Sequence, residues 1–535
     1  MRVCLGGLFC GGYMKGSYFL SFNIELSFFL SQALKMKISS IVAAAGLTAR
    51  ALSSDYKPLV SSEELQNLIT LDDLLAASQD LQDIADANGG NRAFGGAGHN
   101  ATVDYLVETL EALEYFDVST QPFVELFSAA TVEFTAGGTE YEAGYMTYSP
   151  SGTASAPLVR VANLGCNAVD YPSTVSGSVA LISRGECTFA IKATNAKAAG
   201  AVGAIVYNNV PGQLSGTLGG VGTYPPTVGV TQEVGATLVA ALGNSSLIAD
   251  LDVDAISENR TTWNVIAETK EGDHGNVLTL GGHTDSVFAG PGINDDGSGT
   301  VGILTVAKAL TQFKVKNAVR FLFWSAEEFG KLGSYYYLKS LNGTISGNSS
   351  EVSKIRAYLN FDMIASPNYV LGIYDGDGSA FNLSGPPGSA TIEKDFEAFY
   401  ESKGKPHVPA LFSFRSDYAA FLENGIPSGG LFTGAEELKT EAEAALFGGE
   451  AGVALDANYH QAGDTVDNLN HEAFLLNTQS IANSVAKYAL SFEGIPAVNG
   501  TLRKRHAEFQ RRFARRDVGH VHSHAGPCGA STLVA

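Results

Sequence analysis

The chain has 535 residues and a mass of 56.1 kDa, more than one hydrophobic core normally serves, so we expect at least two domains. Hydrophobic residues make up 45% and charged residues 17%, which excludes a mostly disordered chain, and 60 glycines without a Gly-X-Y repeat exclude collagen. With 34 basic and 55 acidic residues, the net charge of −21 repels phosphate backbones, and no run of 18 apolar residues occurs, so we expect neither nucleic-acid binding nor a membrane span.

The N-terminal residues have the pattern of a secretion signal. Met36 and Lys37 are followed by an apolar run and by small residues around Arg50, as in a signal peptide over residues 36–51. Residues 1–35 are then an upstream extension or a longer leader, and residues 52–70 are a candidate propeptide. The alternative is that the apolar run forms a buried N-terminal helix.

Two further features favour secretion, and the C-terminal tail differs from the rest of the chain. Seven Asn-x-Ser/Thr sequences that can accept glycans begin at Asn100, Asn244, Asn259, Asn342, Asn348, Asn382 and Asn499. Of the five cysteines, two lie in the leader and one near the C-terminus, which leaves Cys166 and Cys187 as the plausible disulfide pair. Residues 496–535 are basic and rich in histidine, which favours a solvated, disordered tail over a metal-binding one.

The first predicted elements are helices and a small insert. Residues 61–87 and 102–113 have the apolar spacing of amphipathic helices, and residues 116–134 alternate like a strand. Residues 137–258 are rich in Gly, Ala, Val and Thr and form a separate α/β insert. Its clearest elements are strands at residues 177–182 and 204–207 and a helix at residues 196–203.

From residue 262 onward, strands and helices alternate. The apolar strands cover residues 277–280, 318–324 and 355–361, and a helix covers residues 300–312. Continuous β-branched and aromatic strands between helices predict an α/β fold with a mixed, mostly parallel sheet covered by helices on both faces. Ligands of such sheets bind at the carboxyl ends of the strands.

Residues that can bind a metal ion follow these strands. The loops present His283, the pair Asp295 and Asp296, the pair Glu327 and Glu328, Asp362 and, much later, His460. Two imidazoles and three carboxylates suit Zn²⁺ or a similar divalent ion. Five ligands are too many for one tetrahedral zinc with an open position, but they suit two ions roughly 3.5–4 Å apart that share a carboxylate, activate a water and polarise a carbonyl.

The spacing of the acidic residues indicates which of them bind metal and which have other roles. Adjacent residues of an extended segment point in opposite directions, so one of Glu327 and Glu328 can bind metal while the other moves a proton between the water and the leaving amine. Asp285 lies two residues after His283 and can hold its imidazole N–H. Each motif alone is more often a turn, a helix cap or a solvated acidic pair, but the whole set at strand ends favours a metal site.

These residues closely resemble the co-catalytic zinc aminopeptidases of metallopeptidase family twenty-eight (clan MH), which includes aminopeptidase Y and secreted fungal leucine aminopeptidases. The resemblance covers about residues 71–494 and implies the zinc exopeptidase fold with two Zn²⁺ ions per chain. It implies that His283 and Asp362 bind one zinc, that Glu328 and His460 bind the other, and that Asp295 bridges them.

The resemblance also implies roles beyond the metal ligands. Glu327 matches the general base, Asp285 the carboxylate behind the histidine, and Tyr459 the hydroxyl that stabilises the tetrahedral oxyanion. In relatives the peptide bond after the bridging aspartate is cis, so we expect a cis bond between Asp295 and Asp296.

The insert resembles a protease-associated domain, through Arg184, Gly185, Cys187, Phe189 and Lys192. That domain is not catalytic, flanks the cleft and limits access, and the resemblance is consistent with a disulfide within it. The catalytic domain then comprises residues 71–136 and 259–495, with the insert at residues 137–258.

The segment from Arg415 to Asp417 resembles a family segment near the substrate, although a structural salt bridge is an equal explanation for Arg415. Some relatives carry two cysteines there, whereas this chain has Leu411 and Arg415, so packing and polar contacts must hold the loop. Met363 and Phe432 are candidates for the pocket of the first side chain, or ordinary core residues.

The sequence therefore predicts a monomeric zinc aminopeptidase that removes leucine-like residues from peptides with a free N-terminus. It is predicted to be secreted, with a vacuolar location as the alternative. A carboxypeptidase on the same scaffold would need a basic cluster for the substrate carboxylate, and Arg415 is the single basic residue near the motifs. A glutaminyl cyclase normally keeps one metal and lacks the insert. A non-enzymatic ectodomain would have lost ligands, which are all present here.

Overall fold

The computed structural model describes residues 57–210, 212–214, 216–243, 245–341 and 350–497, without the side chain of Ser350. The chain divides at Pro58 into two compact units, and the second, which begins at Leu59, carries the helices and strands of the described residues. The predicted upstream extension and signal peptide lie outside the described residues, as does almost all of the basic tail. No helix in these ranges is both long enough and apolar enough to cross a membrane.

Helices and strands alternate along most of the described chain. The helices are α1 (Ser62–Asn67), α2 (Leu71–Ala87), α3 (Ala97–Ala112), α4 (Phe189–Ala198), α5 (Gln232–Leu242), α6 (Gly299–Leu310), α7 (Leu332–Leu341), α8 (Ser350–Lys354), α9 (Ser389–Ser402), α10 (Tyr418–Glu423), α11 (Glu441–Phe447) and α12 (His471–Leu490). The strands are β1 (Phe116–Ala136), β2 (Thr139–Glu140), β3 (Gly144–Thr147), β4 (Gly152–Arg160), β5 (Val179–Ser183), β6 (Gly203–Tyr207), β7 (Gly216–Thr217), β8 (Thr227–Val230), β9 (Ile248–Thr269), β10 (Asp273–His283), β11 (Asn317–Trp324), β12 (Ile355–Phe361), β13 (Gly372–Tyr374), β14 (Val408–Ala410) and β15 (Ser428–Phe432). Short 3-10 helices cover Ala168–Asp170, Ser173–Val175 and Val466–Asn468, and a π-helical turn covers Ile293–Ser298.

The strands of the C-terminal half form one mixed sheet in the order β14-β13-β15-β12-β10-β11-β9. The pairs β10–β11, β10–β12, β12–β15 and β13–β14 are parallel, while β9 and β15 pair antiparallel with β11 and β13. The predicted fold class, a mostly parallel sheet between helices, is confirmed.

Both faces of this sheet are buried, as its apolar strands predict. In β11, Phe321 and Phe323 point into the larger core with α6 and α12, whereas Leu322 and Trp324 point into the core that includes residues of α7 and α10. Alternate residues of a strand face opposite sides of a sheet, so a strand covered on both sides is apolar throughout.

Two predicted helices have different bounds in the structure. Residues 61–87 form α1 and α2 instead of one helix, because the Thr70 hydroxyl accepts a hydrogen bond from Asp73 N (3.1 Å) and begins a new helix. In the insert, α4 begins after Thr188, which caps it in the same way, and ends before the positive φ of Gly200. The sequence prediction, residues 196–203, therefore places this helix too far toward the C-terminus.

The insert is joined to the main sheet by a long ribbon. Strands β1 and β9 pair antiparallel from Phe116 and Thr269 to Ala136 and Ala249, so the chain enters and leaves the insert side by side. Beyond the ribbon, β4, β5, β6 and β8 are parallel neighbours with their own cores.

Two expectations about the surface and the insert can be compared with the structure. The expected disulfide between Cys166 and Cys187 is confirmed. Of the predicted glycan acceptors, Asn100, Asn259 and Asn382 are described, and all three are exposed.

Candidate metal centre

The register of the parallel strands brings the predicted metal ligands to one edge of the sheet. His283 is the last residue of β10 and pairs with Trp324, the last residue of β11. Glu327 and Glu328 follow β11 within four residues, and Asp362 directly follows β12. Asp295 lies in the π-helical turn before α6, and His460 comes from the loop before α12. The structure brings all five predicted ligands together.

Asp295 lies between the two imidazoles. Its Oδ1 is 3.2 Å from Nε2 of His283, and its Oδ2 is 3.1 Å from Nε2 of His460. Glu328 Oε2 is 3.0 Å from the same nitrogen of His460, and Asp362 Oδ1 is 3.7 Å from that of His283. Each imidazole therefore shares the central aspartate and has one further carboxylate of its own.

The donors fit zinc. Nitrogen and carboxylate atoms of His283, Asp295 and Glu328 lie within 4.8 Å of one another, as ligands of a common cation would. His460 Nε2 is buried beside two carboxylate oxygens but makes no well-aligned hydrogen bond to either, as expected for an atom directed at a metal ion. Burial by itself lowers the pKa of His283, yet Asp362 and Asp295 outweigh it and hold that pKa well above its usual range, so the site attracts cations.

The second aspartate of the pair serves the backbone. Asp296 accepts hydrogen bonds from the amides of His283 (2.9 Å), Gly299 (2.9 Å) and Met363 (3.2 Å). Its carboxylate thus ties the end of β10 to the start of α6 and to the residue after Asp362. The expected cis peptide bond between Asp295 and Asp296 is confirmed.

The two adjacent glutamates face different imidazoles. Glu327 Oε2 is 3.9 Å from Nε2 of His283, whereas Glu328 Oε2 is beside His460. Burial raises the pKa of Glu327 well above its usual range, although the charges of His283 and Lys331 oppose the shift. Glu327 is thus a stronger base than an exposed glutamate, next to the metal ligands.

Asp285 makes different contacts from those predicted. His283 Nδ1 donates to the backbone carbonyl of Asp285 (3.0 Å), while the carboxylate is 3.8 Å away. The carboxylate instead accepts hydrogen bonds from the amides of Glu327 (3.0 Å) and Glu328 (3.3 Å). Burial raises the pKa of Asp285 to about 7. Its side chain therefore holds the loop with the two glutamates, and its backbone holds the imidazole.

Tyr459 and Arg415 form one polar group beside the centre. The Tyr459 ring stacks on His460 with 3.8 Å between ring centres, and its hydroxyl accepts a hydrogen bond from Arg415 (3.0 Å). Both terminal nitrogens of Arg415 donate to Glu436 (2.9 and 3.1 Å). Of the two explanations for Arg415, the structure favours the salt bridge, which also orients the phenol.

The segment without cysteines is held by polar contacts and packing, as expected. Ser416 donates to Asp362 (2.6 Å) and accepts from Asn360 (2.8 Å), so it fixes the carboxylate that faces His283. Phe412 is buried in the core beside this loop, and the Arg415 salt bridge anchors its far side. Asp417 is buried close to Glu327 and His283, and burial raises its pKa to about 7.

The sequence did not reveal two groups that build the centre. Asp464 accepts hydrogen bonds from the amides of Asn294 (2.8 Å) and Asp295 (3.0 Å). These bonds connect the loop that carries His460 to the loop that carries Asp295. Arg92, fully buried, donates to the carbonyls of Thr284, Pro291 and Gly292 and ties the loop after His283. In the sequence, the only signal at Arg92 is its place in a Gly-rich turn. The only signal at Asp464 is its place in a polar loop.

The comparisons with known proteins agree with this architecture. Residues 264–485 match the model of Peptidase family M28, and residues 154–238 match the PA domain model. Probable leucine aminopeptidase 2 of Aspergillus fumigatus is 54% identical over 89% of this chain and 94% of its own length. Probable leucine aminopeptidase 2 of Aspergillus oryzae is 55% identical over 90% of this chain and 97% of its own length.

A solved structure has the same fold. The zinc aminopeptidase BSAP of Bacillus subtilis is 25% identical and superposes with a TM-score of 0.60 over 77% of this chain and 93% of its own. With relatives above half identity along nearly their whole length, the chain belongs to peptidase family M28 and is a metallo-aminopeptidase with a PA domain.

Proposed function

We propose that this chain is a secreted aminopeptidase with two zinc ions that removes apolar, leucine-like residues from the free N-terminus of peptides. The observation that carries the proposal is the central position of Asp295, with one oxygen near each imidazole. This arrangement suits a carboxylate that bridges two cations, and two-metal sites share ligands in this way.

The residues divide into two ligand sets in this proposal. His283 and Asp362 would hold one zinc, Glu328 and His460 would hold the other, and Asp295 would be shared between them. When bound, the zinc ions supply Lewis acidity that polarises the scissile carbonyl and lowers the pKa of a water. Ser416 and Asp285 keep the ligand loops in place through their hydrogen bonds to Asp362 and to the amide of Glu327.

Glu327 transfers the proton in this proposal, and Tyr459 stabilises the negative charge that develops on the substrate oxygen. Glu327, 3.9 Å from the His283 nitrogen, takes the proton of the attacking water and delivers it to the leaving amine. The Tyr459 hydroxyl donates to the oxygen of the tetrahedral intermediate, and the hydrogen bond from Arg415 polarises the phenol for this role. The free α-amine of the substrate lies against the site's carboxylates at the closed end of the cleft.

Two apolar residues beside the centre support the leucine-like preference. Met363 directly follows Asp362, and its carbonyl accepts a hydrogen bond from Thr433 N (2.9 Å), which sets Phe432 beside it. Met363 is buried and Phe432 half-buried, and their side chains would form the apolar wall for the first side chain on the His283 side of the centre.

A carboxypeptidase on the same scaffold is disfavoured by the contacts of Arg415. That role needs a cation that can receive a substrate carboxylate, but Arg415 already pairs with both oxygens of Glu436 and lies near Glu437. Lys331 and Arg92, the other cations near the centre, are buried, so a substrate carboxylate would meet a surface of net negative charge.

Secretion and the domain bounds belong to the same proposal. The exposed asparagines of three sequons and the Cys166–Cys187 disulfide suit an oxidising, glycosylating compartment. We assign residues 71–136 and 259–495 to the catalytic domain and residues 137–258 to the PA domain. In a monomeric enzyme, the PA domain would flank the cleft and limit the access of larger substrates.

The zinc-loaded protein should hydrolyse leucyl-amide and C-terminally amidated peptides with a free N-terminus, but not the same peptides with an acetylated N-terminus. Amidation removes the carboxylate that a carboxypeptidase needs, so activity on these substrates separates the two functions. Elemental analysis should find two zinc ions per chain.

Cleavage of the acetylated peptides, or activity confined to peptides with a free C-terminus, would contradict the proposal. A folded protein that binds zinc but hydrolyses none of the substrates would point to the non-enzymatic alternative. One zinc per fully active chain would refute the bridging role of Asp295.

A further inference from the structure

An exposed aromatic ring lies on the loop that joins two metal ligands. Phe288 comes between His283 and Asp295 in the chain, and 42% of its surface is exposed. Its ring packs edge-to-face on Phe127 (centroids 5.7 Å apart) and on Phe329 (5.4 Å). The ring is thus held by two neighbours while 42% of the residue's surface stays exposed.

The loop of Phe288 borders the side of the centre formed by Glu328 and His460. Phe329, which supports the ring, directly follows Glu328, and Val287 lines a small cavity with Glu328 and His460. Gly290, two residues after Phe288, lies so close to the backbone of Gln461 that a Cβ at this glycine would be 2.2 Å from the carbonyl oxygen of Gln461. Phe288 is therefore at the rim of the metal site.

The rings beneath Phe288 are held rigidly. Phe94 is fully buried and packs against both Phe127 (5.6 Å) and Phe329 (4.6 Å). The guanidinium of Arg260 lies 3.6 Å from the centre of the Phe127 ring and donates to the carbonyl of Gly95 (2.8 Å). A large exposed aromatic surface on such a fixed base is ready for a ligand, because little side-chain freedom remains to be lost.

The two sides of the centre have different apolar surroundings. Met363 and Phe432 adjoin the side of His283 and Asp362, which the proposed function gives to the first side chain. An exopeptidase that holds the N-terminal residue there must direct the rest of the peptide away from it, toward solvent. Phe288, Phe127 and Phe329, which we call the aromatic rim, lie on the other side of the centre, next to Glu328 and His460.

We propose that Phe288, supported by Phe127 and Phe329, forms the subsite for the residue that follows the scissile bond and favours an aromatic side chain there. The inference rests on the proposed aminopeptidase function and deepens it. The second side chain stacks edge-to-face on the exposed part of the ring and completes the aromatic cluster.

The test compares second residues on the zinc-loaded full-length enzyme. The values of kcat/KM are measured for leucyl-phenylalanine amide and leucyl-glycine amide, and their ratio reports the subsite. Phe288→Ala should lower this ratio about three- to tenfold, the range of one lost aromatic contact. Phe288→Trp should keep the ratio, because the indole restores an aromatic face.

The matched control is Val124→Ala, which removes an apolar side chain that is 58% exposed on β1, the strand that carries Phe127. Its ratio should equal that of the wild type. Phe288→Leu, which keeps apolar packing on the two supporting rings, is the second variant should the alanine variant not fold, and it should also lower the ratio.

The outcomes separate the two proposals. A wild-type enzyme that cleaves neither dipeptide amide contradicts the proposed function itself. A wild-type enzyme that cleaves both, with a ratio unchanged in Phe288→Ala and Phe288→Leu, overturns the subsite alone. An equal fall in Val124→Ala would also overturn it, since the effect would not belong to the aromatic rim.

Discussion

Single aspartates fix the centre through backbone amides. Asp285 accepts from the amides of the two glutamates, Asp296 from those around the ends of β10 and β12, and Asp464 from those of the loop with Asp295. Each buried carboxyl group thus holds the backbone of a ligand-bearing loop. Hydrogen bonds of this kind position ligands firmly, because the backbone has fewer ways to yield than a side chain.

Glu327 and Glu328 give the sharpest test at this scale. Glu327→Gln removes the proton acceptor but keeps size and hydrogen bonding, so kcat should fall by about 10²–10⁴ while zinc content stays unchanged. Glu328→Gln, the matched neighbour, should instead lose zinc. Metal analysis together with steady-state kinetics on leucyl-amide distinguishes them. Full activity in Glu327→Gln would refute its assignment as the base.

Among the elements, α1 stands out because it lies in the candidate propeptide, residues 52–70. Val60, Leu65 and Ile69 are buried in the main core, and Ser62 donates to Asn483 of α12 (2.6 Å). The backbone amide of Val60 also bonds to the carbonyl of Lys314 before β11 (2.9 Å). The propeptide boundary stays a prediction, and this packing leads us to expect that the mature chain retains α1.

Two leucines near the end of α1 make a matched pair. Leu65 is fully buried, whereas Leu68 is 42% exposed. Leu65→Ala should lower the free energy of unfolding by about 2–5 kcal/mol, since it leaves a cavity in the core. Leu68→Ala should change it by less than about 0.5 kcal/mol. Denaturant unfolding of both variants measures the difference, and equal stabilities would mean that α1 does not belong to the folded core.

The elements that sequence predicts best here are the central strands. Residues 355–361 form β12 as predicted, and β11 differs from its prediction by one residue, because uninterrupted apolar runs have few alternatives in a buried sheet. Their carboxyl ends then place the candidate ligands. Helix limits were less accurate where a threonine cap, such as Thr70 or Thr188, outweighed the apolar period.

Other contacts could not be read from the sequence. Arg92 reaches carbonyls nearly 200 positions away, and the direction of the Asp285 carboxylate depends on how the loop after β11 packs. The aromatic rim likewise joins residues of β1, the loop after β10 and the loop after β11. Such contacts depend on tertiary packing, which local periodicity does not encode.

On the scale of the whole molecule, the centre gathers buried acidic residues where several loops meet. Asp285, Asp295 and Asp362 come from three separate loops of the second compact unit, and Glu327 and Glu328 share a fourth. Bound cations would offset the repulsion between these carboxylates and link the segments. We therefore expect metal binding and folding stability to be coupled in this protein.

Removal of metal should lower the melting temperature by several degrees and abolish activity together. A ligand at 1,000 times its Kd stabilises the native state by about 4 kcal/mol, so a tightly held zinc has a measurable effect. Calorimetry of the zinc-loaded protein, the chelated protein and the chelated protein with zinc restored measures this. Magnesium in place of zinc is the control, and an unchanged melting temperature on chelation would contradict the coupling.

The paired strands β1 and β9 have a consequence for evolution. Their 21 matched positions run from the main sheet, where β9 also pairs with β11, to the insert, where β9 also pairs with β4, and the stretch between forms a double-stranded ribbon. Adding two residues to each strand would lengthen the ribbon by about 7 Å without changing which faces point inward, whereas adding one would turn the insert over. Insertions of two residues in each strand would therefore move the insert away from the main sheet, keep its orientation and leave the metal centre unchanged.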